Sequence, residues 1–132
     1  GSIASNIRTK EYNIAVWLAR NILTESEHLY EGKSFSEIPK KETKAFAPPH
    51  ERFKWNREIR DIKFPDLSVP TGKDDIGIPE PVRILLKSIT KYLSDSLREM
   101  TVTISWPRGK GEQKISITTY LIDLNQEFNF GI

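Results

Sequence analysis

The chain has 132 residues, with 20 Lys and Arg against 18 Asp and Glu, a net charge of +2, two histidines and no cysteine. That length makes one domain able to bury a substantial core. The missing cysteine excludes disulfide scaffolds, thiolate zinc sites and thiol nucleophiles, and the mixed charges lack the one-sided basic footprint of nucleic-acid binders.

The apolar residues from Ile7 to Tyr30 follow a helical period. At about 100° per residue, Ile7, Ile14, Leu18, Ile22 and Leu29 form one stripe. A second stripe, about a third of a turn away, holds Tyr12, Val16, Ala19, Leu23 and Tyr30. Together they are wider than one neighbour requires, and Trp17 projects away from both. Gly32 marks the stop. No strong capping signal precedes the helix, and Gly1-Ser2 reads as a vector-derived scar. The expectation is therefore a helix that begins upstream, in a longer protein, with this piece a soluble domain lacking any run of about 18 apolar residues.

Residues 31–51 read as a polar loop with Pro39, Pro48 and Pro49. Lys40, Lys41 and Lys44 form its densest basic cluster, but Glu37 and Glu42 sit among them, the pattern of a solvated loop. Arg52 to Ile59 alternates as a half-buried strand, with Phe53, Trp55 and Ile59 on one side. The Pro- and Gly-rich stretch 65–81 reads as a linker. Val82, Leu85, Leu86, Ile89, Leu93 and Leu97 return to helical spacing, with Pro81 suited to the first turn. Met100 to Trp106 and Lys114 to Leu124 then alternate as two strands, and Pro107-Arg108-Gly109-Lys110-Gly111 predicts a hairpin loop longer than two residues. The result is one α+β domain, a long helix packed on a small antiparallel sheet.

Chemistry-bearing constellations are sparse. His28 lies near Glu25, Glu27 and Glu31 at a wet helix end, without the spacing that defines a metal site. His50 follows two prolines with no evident partner. Asp74-Asp75 lies between Gly72 and Gly77, where two adjacent carboxylates do not make a calcium site. No phosphate loop, dinucleotide fingerprint or nucleophile elbow is present, so neither a catalytic residue nor a cofactor is expected. Trp55 and Trp106 belong to alternating strands and are expected in the core. Trp17 is expected either beneath the 31–51 loop or at an interface.

The order of these segments resembles the minor pseudopilins of bacterial type II secretion systems, most closely the I-type subunit. The run Ala15-x-x-Leu18-Ala19-Arg20-Asn21-x-Leu23-x-Glu25 is similar to that subunit's helix just beyond its membrane span. Phe53-Lys54-Trp55 resembles its aromatic strand, Leu97 to Trp106 its first hairpin strand, and Ile117-Thr118-Thr119-Tyr120 its closing strand. Roughly half the chain is covered by this likeness. It departs from the family at residues 65–96, which intervene before the hairpin and include an extra helix.

The resemblance implies a pilin-like fold and a structural role. A processed leader and an apolar N-terminal helix, both absent here, would anchor the protein by a single pass in the inner membrane, with this domain in the periplasm and a methylated N-terminus. The subunit would join J-type and K-type siblings and the major pseudopilin to initiate and cap the pseudopilus. On that expectation Ile7, Ile14, Leu18 and Ile22 belong to the fold, while Tyr12, Val16, Trp17, Ala19 and Leu23 bind partners, unless the two stripes exchange roles or the loop from Gly32 to Arg52 covers the second one. The other readings are a minor pilin of a type IV pilus and a stand-alone periplasmic binding module.

Overall fold

The computed structural model describes residues 2–65 and 77–123. Asp74-Asp75, Gly72 and Leu124 lie outside that range. Helix α1 spans Ser2–Tyr30. A short 3-10 turn at Phe35–Glu37 leads to strand β1, Lys41–Ala45, and then to β2, Lys54–Asp61. Helix α2, Glu80–Ser96, runs directly into β3, Leu97–Arg108, and β4, Gly111–Ile122, closes the order. The four strands form an antiparallel sheet in the order β1-β2-β3-β4, and α1 lies across β3 and β4.

Alternation builds the sheet. Met100, Val102, Ile104 and Trp106 point toward α1 and are buried, while Thr101, Thr103 and Ser105 face the other side. That outer face is polar: Thr101 and Thr103 hydroxyls pair with those of Thr118 and Ser116 across the β3–β4 ladder. On the same face, hydrogen bonds from Asn56 and Arg60 hold the Glu58 carboxyl below its usual range. The sheet therefore buries one side only, as a one-layer antiparallel sheet can.

The α1 face against the sheet is set by small residues. Ala15, Ala19 and Ser26 are fully buried at its centre, with Leu18, Ile22 and Tyr30 around them. Their short side chains let the helix backbone approach the sheet closely, and Phe53, Val102, Ile104 and Trp106 fill the space beneath. A second cluster under the end of α1 joins Tyr30 and Ile38 to Ile59, Met100 and Leu121.

This core lies on the seam between the two stripes predicted from the sequence. Ala19, expected to face partners, is buried, and Leu23 packs partly buried against both clusters. Ile7, expected in the fold, is exposed. Ile14, Leu18 and Ile22 do face the interior, Leu18 and Ile22 as buried residues and Ile14 packed partly against the core.

Two local predictions are also corrected. Lys41–Ala45, inside the expected loop, pairs with β2 from Lys41↔Glu58 to Ala45↔Lys54. The hairpin is tight: Arg108 pairs with Gly111, leaving Gly109 and Lys110 as a two-residue loop. Gly109 takes φ +57 at the first central position, where a type II′ turn requires glycine.

One cation is built into the interior. Arg57 projects inward from β2 at 5% exposure. It donates to Ser26 Oγ at 2.7 Å and to Glu42 Oε2 at 2.5 Å. Its guanidinium also lies over the rings of Tyr30 and Trp55, 4.9 and 5.2 Å from their centroids. Ser26 in turn donates to the Ile22 carbonyl at 2.6 Å. Arg57 thus ties the edge strand β1, through Glu42, to the helix. Burial pushes the Tyr30 phenol above its ordinary range, opposed by the Arg57 charge.

Candidate assembly interface

The sheet reaches only part of α1. The helix has 29 residues, about 43 Å at 1.5 Å per residue. Its first inward anchor is Glu11, whose carboxylate accepts Trp106 Nε1–H at 2.9 Å and Arg52 Nη1–H at 3.5 Å. Beside it Tyr12 sits edge-on to Trp106, 5.5 Å between centroids, and its hydroxyl meets Gln113 Nε2 at 2.8 Å. The preceding turns extend past these anchors by about 13 Å, and every side chain described there is exposed.

The overhang is not uniformly polar. Ile3 is 76% exposed and Ile7 54%, and past the anchors Trp17 is 56% exposed. Ile3, Ile7, Lys10, Ile14 and Trp17 recur at alternating spacings of four and three, which place a seam along one side of a helix and suit a second helix packing there. Apart from Ile14, which packs partly against the core at its margin, the seam faces away from the Ala15–Ala19–Ser26 line. A shallow groove of about 420 Å³ lies beside the Lys10–Trp17 part of it, lined by Asn6, Thr9, Lys10, Asn13, Ile14 and Trp17. Its lining is mostly polar, with Ile14 and Trp17 as the apolar members.

The expected partner residues do not form one patch. Trp17 belongs to this outward seam; the 45–53 segment touches it through His50, ring centroids 5.8 Å apart, without covering it. His50, expected to lack a partner, is therefore held between Trp17 and Phe53. Tyr12 and Val16 lie on the opposite flank, above β4, and Leu23 follows them partly buried. Ala19 is interior. Sequence reasoning missed Ile3 and gave Ile7 to the fold, although the four-three spacing from Ile3 to Trp17 was the signal that groups them.

Other features offer less chemistry. His28 Nδ1 lies 4.0 Å from Glu31, both side chains exposed. Among the described residues no group of three or more His, Asp or Glu could hold a metal ion, and no helix is long and apolar enough to cross a membrane. A cleft of about 410 Å³ at the end of α1 is lined by Tyr30, Phe35, Ile38, Tyr120 and Leu121 among others. Helix α2 leaves Val82, Ile84 and Leu85 exposed.

No protein-family model matches the chain, and no curated protein or solved structure does so.

Proposed function

We propose that this chain is the periplasmic domain of a structural assembly subunit, a minor pseudopilin of the I-type kind in a type II secretion system. The observation that carries the reading is the overhang of α1 with Ile3 and Ile7 exposed, continued past the anchors by exposed Trp17 on the same side of the helix. A helix fixed to a sheet by its second half, and apolar on its free side in the first, has the form of a helix that packs among others. The four-stranded antiparallel sheet holds it there.

In this reading an apolar segment upstream continues α1 into the inner membrane and later into the filament core. The seam packs against the helices of J-type and K-type siblings and of the major pseudopilin. No bond-making step is assigned to the domain; its contribution is orientation. Glu11, tied to both Trp106 and Arg52, fixes the angle at which the overhang leaves the sheet. The insertion that carries α2 sets the chain apart from the subunits it resembles. A minor pilin of a type IV pilus would use the same seam.

The exposed Val82, Ile84 and Leu85 of α2 favour a second reading, a stand-alone periplasmic binding module that uses this helix. Intact mass of the native protein purified from membranes separates the two. The assembly reading expects a short leader removed and a methylated N-terminus on a retained apolar helix. A conventional signal peptide removed entirely, or no processing, contradicts it and leaves the binding module.

A further inference from the structure

The two edges of the sheet are built differently. β1 has five residues, Lys41 to Ala45, and is bounded by Pro39 and by Pro48-Pro49. Its lysines pair with Glu58 and Glu42. Short length, lysine and proline are the devices that keep an edge from accepting another strand. β4 has 12 residues and, from Ile115 to Ile122, neither charge, proline nor glycine. Among the described residues no strand lies on its far side.

The turn fixes which backbone groups are free. In a two-residue loop the flanking residues form a hydrogen-bonded pair, so Arg108 and Gly111 face each other. Alternation then turns the N–H and C=O groups of Ile115, Ile117, Thr119 and Leu121 toward β3. Those of Lys114, Ser116, Thr118, Tyr120 and Ile122 turn to the open edge. The bond from Asp123 N–H to the Ser96 carbonyl, 2.8 Å, has the parity this requires. Side chains at the edge-facing positions are exposed, Tyr120 at 59% and Ile122 at 62%.

We infer that β4 is a pairing edge, and that its occupant is β4 of a second copy of this chain, antiparallel across a two-fold axis. The strand is complementary to itself. Pairing centred on Ile117 sets Ser116 opposite Thr118 of the second copy and Lys114 opposite Tyr120, with no like charges opposed. Glu112 and Lys114 both lie at the turn end, where this register sets them opposite Ile122 and Tyr120 of the second copy. On the helix side Ile115 and Ile117 are only partly buried, because no strand beyond β4 flanks them among the described residues. In the pair, each gains the second copy's strand as cover. A perpendicular two-fold keeps both α1 helices on the same face, with the Tyr12, Val16 and Leu23 flank of each turned toward the other. That flank is separate from the Ile3–Trp17 seam, so the inference stands apart from the assembly reading.

Sedimentation of the chain, from dilute to millimolar, tests it alongside Thr118→Pro and Thr118→Lys. The proline removes an N–H that faces the open edge and leaves the β3–β4 ladder intact; the lysine sets a charge on the pairing strand. The expected result is a mass that doubles with concentration in the unaltered chain and stays single in both variants, with unchanged circular dichroism. Should Thr118→Pro fail to fold, Thr118→Lys alone decides. A chain that stays monomeric throughout overturns the inference, as does a dimer that survives both substitutions. A dimer abolished by Trp17→Glu and untouched by Thr118→Lys also overturns it, placing the contact on the α1 seam and leaving that seam's role in place.

Discussion

The two halves of α1 share one continuous helix and meet opposite fates. From Ala15 to Tyr30 the inward side carries Ala, Ser, Leu and Ile, and each inward residue is buried against β2, β3 or β4. From Ser2 to Lys10 the helix carries Ile3 and Ile7, exposed and packed in neither core cluster of the described residues. Hydropathy alone does not separate the halves, since isoleucine occurs in both. The difference lies in reach: the sheet ends at Trp106 and the hairpin turn, and the helix does not. A large apolar residue is a fold residue only where another element extends far enough to cover it.

Substitutions that cross this boundary break or sharpen the contrast. The largest effect is expected from Trp106→Ala, which empties the space under Tyr12, Phe53 and Ala15 and should cost about 3–5 kcal/mol in denaturant unfolding. Ala19→Glu drives a carboxylate into the same layer and should unfold the domain, a direct check on its reassignment from partner face to core. Arg57→Ala leaves the Glu42 carboxylate without its buried partner and removes the tie between β1 and α1. A loss of roughly 3 kcal/mol is expected, with the amides of β1 exchanging faster than those of β3.

Smaller effects refine the picture. The buried Tyr30 hydroxyl makes no hydrogen bond of good geometry among the described residues and has the Arg57 guanidinium as its polar neighbour, so Tyr30→Phe should change stability by no more than about 1 kcal/mol. The same substitution has a pH signature. Because burial raises the Tyr30 pKa in the fold, the unfolded chain loses this proton first as pH rises. Tyr30's contribution is whole below about pH 10, the range where a free phenol ionises, and is lost as pH climbs through the higher folded value. Thermal melts between pH 8 and 11 should therefore fall less steeply in Tyr30→Phe than in the parent. Ile7→Glu and Trp17→Glu sit at the other extreme, expected to shift stability by no more than about 0.5 kcal/mol while removing any binding that depends on the seam. If Ile7→Glu destabilises the isolated domain as Ala19→Glu does, the division between the halves fails.

Much of the fold was legible because its pattern is repetitive. β3 and the first part of β4 alternate strictly, and α1 repeats over many turns, so period and length agree. The same alternation places Arg57 with Phe53, Trp55 and Ile59 on the buried side of β2, although a charged residue does not advertise itself as core. β1 was illegible for a related reason: its inward position at Glu42 is filled by the ion partner of Arg57, so no apolar alternation marks it. The α1 core face was misread because Ala15, Ala19 and Ser26 add little to a hydrophobic stripe, yet they let the helix sit close to the sheet. The seam from Ile3 to Trp17 was present in the spacing, but its exposure depends on where the sheet stops, which sequence periodicity does not encode. His50 meets Trp17 through a loop, a contact no spacing rule reaches.

The central claim is that the overhang of α1 docks other helices. Photo-crosslinking from position 7 of the native protein in the cells that make it tests it most directly, with position 19 as the buried control. The account predicts adducts to another helical subunit from position 7 and none from position 19. A folded protein that yields no intermolecular adduct from position 7 would contradict it.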